Sequence, residues 1–259
     1  MRRAYEGDLL TSVIARKKLE RIARVVLIGS GKGGVGKSTI ATSLALLLSR
    51  EGQKTALFDI DIHGSSIPEY VGVTPPLRSN RNGLEPRTKG SLKIMSVGLF
   101  TGSIPIPMRG GNKQELITQL FALTEWGNLD CLIVDLPPSM GDELLAAFRL
   151  FSGKACLVLV TTPSPGAVSV VSRLRQLAET EKIPVKGIIV NMAYMFNGNR
   201  KSYPFGKSDR KLLNSKFVSA IIGEVPLEPL VSTKDLNAAL SDSPDFSRAI
   251  HELVRCVCN

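Results

Sequence analysis

Cysteine is scarce: the 259-residue chain has four, Cys131, Cys156, Cys256 and Cys258. They are too few and too unevenly spread for the disulfide framework of a secreted scaffold, so in a reducing compartment they are thiols or metal ligands. Only Cys256-Val-Cys258 is spaced as a ligand pair. Long apolar runs are also missing. No stretch approaches the roughly 18 uninterrupted apolar residues of a spanning helix, which argues against an integral membrane protein. The first residues, MRRAYEGDLLTSVIARKKLER, carry arginines but also Glu6, Asp8 and Glu20, and lack the apolar core and small-residue cleavage site of a signal peptide. A cytoplasmic location without membrane attachment is expected. Low-complexity tracts and internal repeats are absent as well, and 43% hydrophobic with 22% charged residues excludes a disordered tail protein.

Acidic side chains are the minority charge, 23 against 33 basic, a net +10. The excess is local: residues 1 to 24 carry +4, residues 78 to 93 carry +4 and residues 200 to 216 carry +5, which leaves the rest of the chain at -3. Such segments can neutralise nucleic-acid phosphates, although solvated surface charge is the plainer account. They outline a basic N-terminal arm (1–23) ahead of a single domain (24–259).

What is present reads as α/β. Arg24 to Ser30 (RVVLIGS) is an apolar, β-branched run ending in glycines, as a buried parallel strand would be. Further strands are expected at Thr55 to Asp59, Cys131 to Asp135, Ala155 to Thr161, Val185 to Asn191 and Ala220 to Val225. Helices are expected at Lys37 to Arg50, Lys113 to Glu125, Asp142 to Phe151, Ala167 to Glu179 and Asp245 to Val257. Strands alternating with helices of this length require right-handed crossovers, hence three layers: a mostly parallel central sheet with helices on both faces. Chemistry in such sheets sits at the C-terminal strand ends. Residues 72 to 112, rich in proline, glycine and scattered charge, interrupt the pattern, with a short strand or hairpin at Lys93 to Val97.

Gly31-Lys32-Gly33-Gly34-Val35-Gly36-Lys37-Ser38-Thr39 follows the first strand and opens a helix, satisfying G-x-x-x-x-G-K-[ST] in the context the motif requires. Residues without Cβ let the backbone aim its amides at phosphates, and the helix N-terminus adds a positive dipole. Lys37 would reach the β- and γ-phosphates, Ser38 would supply its hydroxyl to Mg²⁺, and Thr39 could bond the α-phosphate. Cys131-Leu-Ile-Val-Asp135 is an apolar strand ending in a carboxylate, the arrangement that places an acid behind Mg²⁺. Asp59 and Asp61 end the second strand and offer two more carboxylates, one for metal-bound water and one, here Asp61, for the attacking water. A second fingerprint overlaps: Gly29-Ser30-Gly31-Lys32-Gly33-Gly34 is G-x-G-x-x-G, with Asp59 where a ribose-binding acid would stand. A dinucleotide fold has no use for Lys37 and Ser38, which makes it the weaker reading. An adenylate- or shikimate-type kinase lacks an evident acceptor pocket or lid.

With Lys32 in the loop, these residues resemble the deviant Walker A motif of the MinD/ParA superfamily. Asp59-Ile-Asp-Ile-His-Gly-Ser-Ser-Ile-Pro68, Met95-Ser-Val-Gly98, Met108-Arg-Gly110, Trp126-Gly-Asn-Leu-Asp130, Val134-Asp-Leu-Pro-Pro138, Val160-Thr-Thr-Pro163, Val190-Asn-Met192 and Gly223-Glu-Val-Pro-Leu227 are similar to stretches of the Mrp-type iron-sulfur carrier ATPases. The resemblance runs from about Arg24 to Val231. It implies a slow Mg-ATP hydrolase that works as a homodimer through facing nucleotide sites, Lys32 of each chain reaching the other's nucleotide, with Asn191 at the adenine edge and Pro226 packed beside the base. It also implies iron-sulfur or metallocofactor assembly or transfer, with an apoprotein as client. Arg109 matches a motif without a physical role, His63 and His251 are isolated and read as structural or exposed, and Trp126 is expected to pack at a helix end.

One departure limits that resemblance. The family carries Cys-x-x-Cys a few residues beyond Asn-Met, paired across the dimer around a bridging cluster; here those positions hold Asn197 and Arg200, neither a thiolate ligand. Cys256 and Cys258 are the remaining candidates for cluster ligands, against the plainer reading of two thiols near the end of an amphipathic helix. A positioning ATPase of the partition type, whose ATP dimer binds DNA nonspecifically through basic segments, is the alternative function.

Overall fold

The apolar runs pair as their composition requires. In a computed structural model, which describes residues 2–62, 64–100, 113–198, 200–208, 221–233 and 235–258, a helix α1 (Arg2–Glu20) leads into β1 (Ile22–Gly29), α2 (Lys37–Arg50) and β2 (Thr55–Asp59). A short α3 (Ile67–Val71) precedes four small strands, β3 (Arg78–Asn80), β4 (Gly83–Glu85), β5 (Arg87–Lys89) and β6 (Leu92–Ser96). Then follow α4 (Lys113–Leu123), β7 (Leu129–Asp135), α5 (Asp142–Phe151), β8 (Ala155–Thr161), α6 (Pro165–Thr180) and β9 (Val185–Val190). A ribbon of β10 (Met195–Asn197) and β11 (Arg200–Ser202), β12 (Ile221–Glu224), α7 (Leu230–Thr233), α8 (Leu236–Asp242) and α9 (Pro244–Cys258) complete the described elements.

The main sheet has the order β12-β9-β8-β1-β7-β2-β6-β5, parallel except for the β5–β6 hairpin. Alternate residues of each strand face opposite layers. Val26 and Ile28 of β1 pack with Ile40, Leu44 and Leu48 of α2 and Phe246, Ile250 and Leu253 of α9, while Val25 and Leu27 pack toward Leu120, Leu144 and Leu174 of α4, α5 and α6. Three layers therefore cover the sheet on both faces, as expected, and the C-terminal ends of β1, β2 and β7 lie side by side.

Two readings of the sequence change. Strand β1 begins at Ile22, because Ile22 and Arg24 already pair with Leu129 and Cys131 of β7. The segment read as a basic arm is helix α1, with Ala15 buried and the Lys18 ammonium donating to the Thr124 carbonyl at 2.6 Å. Its large apolar side chains Leu9, Leu10 and Val13 point to solvent, so the core-facing periodicity that announces a helix is weak there. The short strand or hairpin expected at Lys93 to Val97 is present as β6, which lies parallel to β2 and pairs with β5 as a hairpin. Met108, Arg109 and Gly110 lie outside the described residues, as does His63. His251 is exposed and faces Glu51 at 3.3 Å. Among the described residues no helix is long and apolar enough to cross a membrane.

Residues 78 to 93 lie at the β5 edge, whereas Arg200 and Lys201 sit on the ribbon that follows β9, six strand positions away in the sheet or about 29 Å. Beneath α4, Phe58, Phe121, Trp126 and Phe151 form one aromatic cluster, with Phe121 5.1 Å from Phe151 and Trp126 donating its indole N–H to the Phe121 carbonyl. Phe121→Ala is expected to lower stability by about 3–5 kcal/mol, measured by urea unfolding, because the vacated volume is walled by rigid rings.

Candidate nucleotide site

The loop between β1 and α2 turns through Gly31, Gly34 and Gly36 at φ +63°, +77° and +79°. At Gly36 the requirement is double: an added Cβ would stand 2.2 Å from the Asn191 amide nitrogen, and φ lies in the left-handed region. Lys32, Gly33, Gly34, Gly36, Lys37, Ser38, Thr39 and Asp61 line one cavity of about 180 Å³, joined by Tyr70 and Pro138. Val35 is buried beneath it. Lys32 is exposed on the rim, and its carbonyl accepts from the Ser30 hydroxyl.

Behind the loop, the Lys37 ammonium meets Asp135 Oδ1 at 2.7 Å, and the Ser38 hydroxyl donates to Asp135 Oδ2 at 2.6 Å. Burial pushes the Asp135 carboxyl above the ordinary range; the Lys37 charge and the hydrogen bonds from Lys37 and Ser38 oppose that shift. A hydroxyl and a carboxylate held together beside the phosphate loop are the donor set that a hard divalent cation requires.

The two carboxylates at the end of β2 are both buried and differ in what they face. Asp59 is fully buried, accepts from the Ser65 and Ser96 hydroxyls at 2.6 and 2.8 Å, and takes the Asp61 backbone N–H on its other oxygen. Its pKa is pushed up to about 6, first by burial and then by the neighbouring Asp135, with those three donors pulling it down. Asp59 therefore braces the loop that carries Asp61, and its oxygens are committed to protein donors in place of the ribose of a dinucleotide. Asp61 faces the cavity and caps the Gly64 N–H. Ser65, Ser96 and Tyr70 were not singled out from the sequence. Ser65 stands inside the quoted Asp59–Pro68 stretch, but its partnership with Ser96 spans 31 residues and becomes visible only in the fold.

Asn191 follows β9, and its side-chain amide donates to the Val35 carbonyl at 2.9 Å, which ties the phosphate loop to the end of a strand two places over from β1. Pro226 is buried directly after Val225, whose N–H bonds the Val190 carbonyl, so it lies one strand over from Asn191. Asn197 and Arg200 are directly opposed across the β10–β11 ribbon, where the resemblance called for two thiols. Cys131 is buried in the sheet, Cys156 is half-buried near the start of β8 and Cys256 is exposed on α9; Cys258 closes α9, and its side chain lies outside the described set. Among the described residues no group of three His, Cys, Asp or Glu side chains is arranged to hold a metal ion.

The family model ParA, described as NUBPL iron-transfer P-loop NTPase, matches residues 21–257. The chain is 36% identical over 232 residues to the iron-sulfur cluster carrier protein of Aquifex aeolicus, covering 86% of this chain and 62% of that one. It thus spans somewhat under two thirds of that relative's length. A nucleotide-binding protein from Archaeoglobus fulgidus, solved in complex with ADP, superposes with a TM-score of 0.78 at 30% identity, covering 91% of this chain and 95% of that one. The septum site-determining protein MinD of Pyrococcus horikoshii, with Mg-ADP, shares the fold at TM-score 0.65 and 17% identity, covering 89% and 94%. The β1–loop–α2 geometry demands a residue without Cβ at position 36. Gly36→Ala is expected to weaken ADP binding by about tenfold or more, measured by titration calorimetry, with the circular dichroism spectrum unchanged.

Proposed function

The chain belongs to the ParA family of NUBPL-type iron-transfer P-loop NTPases, and from that premise we propose that it is a dimeric Mg-ATP hydrolase that serves iron-sulfur cluster or metallocofactor assembly. The observation that carries the reading is the buried Lys37–Asp135–Ser38 cluster set against a glycine loop, with a second lysine, Lys32, exposed at its rim. The substrate is ATP. Its phosphates take the loop amides and the Lys37 ammonium.

Ser38 and Asp135 fit Mg²⁺ and would hold it, Asp135 through water; the ion supplies charge neutralisation to the phosphates. Asp61, on the cavity wall, positions the attacking water, and Asp59 acts on it only through the Asp61 backbone. Lys32 reaches out of its own site to the nucleotide of a second copy, where an added positive charge stabilises the transferred phosphoryl group as an arginine finger does. Asn191, one amide proton committed to Val35, retains donor and acceptor capacity for the adenine edge, with Pro226 alongside. The cluster is cargo, and it is not gripped at the ribbon: Asn197 and Arg200 offer no thiolate. Cys256 and Cys258 stand two positions apart on α9, where side chains do not face one another, so the helix offers a cluster one thiolate at a time and a client apoprotein supplies the rest of the coordination. A partition-type role, with an ATP dimer that binds DNA nonspecifically through the basic segments, is the alternative reading.

Lys37→Ala is expected to abolish ATP turnover, followed by phosphate release with the fold checked by circular dichroism. Lys32→Ala is expected to keep nucleotide binding yet lose turnover and ATP-induced dimerisation, read by sizing with and without ATP. A Lys32→Ala protein that hydrolyses normally as a monomer would overturn the trans-acting lysine. Anaerobic reconstitution with iron and sulfide is expected to give cluster absorption in the wild type that disappears in Cys256→Ser/Cys258→Ser; a wild type without such absorption ends the role of those thiols.

A further inference from the structure

At the end of the sheet away from the nucleotide site lies an open cavity of about 280 Å³, formed where β1, β8 and β9 begin. Arg24 lines it and Gly29 leads into the phosphate loop, so the two sites stand roughly 17 Å apart along β1. Four cations line the cavity, Arg24, Lys154, Lys182 and Lys186, with no carboxylate among the lining residues, and Val25, Pro184 and Val257 supply an apolar wall. We propose that this cavity binds a small phosphate-bearing anion, at a site separate from the phosphate loop.

Among the described residues no carboxylate pairs with these four cations. Lys154 donates to the carbonyls of Leu19 and Glu20 at the end of α1, and Arg24 to the Gln53 side-chain oxygen, so both are held by neutral partners. None of the four takes part in an ion pair among the described residues; Glu181, the acid next to Lys182 in sequence, is turned toward Arg149 at 3.9 Å. The carbonyls that hold Lys154 close α1 and offset part of its charge, and Lys182 and Lys186 are exposed; four cations around an apolar wall suit an anion with an organic part or more than one phosphate.

Lys182 adds a separate indication. It follows the last turn of α6 at φ +59°, its N–H bonding the Glu179 carbonyl while the Ile183 N–H bonds that of Ala178. This is the left-handed position after a helix that glycine or asparagine normally fills. A lysine there works against local backbone preference, and its ammonium lies on the cavity wall. Lys182→Gly therefore separates the two demands, since it relieves the backbone while removing a cation.

Cys156 also lines the cavity and serves as a reporter. Pyrophosphate is the probe, with binding followed by calorimetry and by protection of Cys156 from N-ethylmaleimide, read by peptide mass spectrometry. In wild-type protein preloaded with ADP, and again in Lys37→Ala, one saturable pyrophosphate site that protects Cys156 is expected. Lys182→Gly/Lys186→Ser is expected to weaken that site by about tenfold, with thermal stability unchanged or raised, because each exposed cation contributes only a few-fold. Pyrophosphate binding that vanishes on ADP loading, or that leaves Cys156 reactivity unchanged, overturns the proposal. A free anion as the source is supported if pyrophosphate protects Cys156 and vesicles of anionic phospholipid do not; protection by the vesicles alone assigns the phosphate to a lipid headgroup and overturns a small soluble ligand.

Discussion

An ammonium and a carboxylate shut away from water, Lys37 and Asp135, hold the phosphate loop in the shape the structure displays. Neither charge would be tolerated alone at that depth, since a buried ion without its partner costs about 3–5 kcal/mol. The pair depends on strand order. Because β7 lies between β1 and β2, Asp135 stands beside Ile28 on one side and Asp59 on the other, close enough to the first for the loop lysine and close enough to the second to raise its pKa. An anionic phosphate competes with Asp135 for the same ammonium, and on the proposed reading that carboxylate is also the one suited to a cation.

Parts of this were legible in the chain and parts were not, for physical reasons. The glycine loop announces itself because only residues without Cβ can take its backbone angles, and Asp135 because a charge ending an apolar strand has few other uses. The long strands and helices were readable from periodicity, since each buries a full face. Helix α1 was not, because among its described side chains it commits only Ala15 and, in part, Leu19 to the core and leaves Leu9 and Leu10 in solvent. The sequence placed Asp61 at the attacking water and left Asp59 for metal-bound water, and it did not show the hydroxyls around Asp59. Their surroundings distinguish them: Asp59 is enclosed by Ser65 and Ser96, the second arriving from β6, and Asp61 faces the cavity.

The same sheet gives each of its ends a distinct electrostatic character. At the C-terminal ends, positive groups are balanced by Asp135 and by Asp59 with its hydroxyl partners; at the opposite end, Arg24 and Lys154 rest on neutral oxygens. Strand β1 contributes to both, through the loop it launches and through the arginine near its start. The +10 of the whole chain is thus a poor guide to where charge acts, since much of it lies on separate segments.

The contact between Gly36 and Asn191 has a consequence for descent. The amide nitrogen of one fills the space where the other would carry a side chain, across 155 positions of sequence. Neither residue can drift by itself: a larger residue at 36 meets the amide, and a longer or branched one at 191 meets the loop. Members of the family that depart at one of these sites should therefore be found to depart at the other, so that the pair is inherited as a single character although its halves lie on opposite sides of the chain's midpoint.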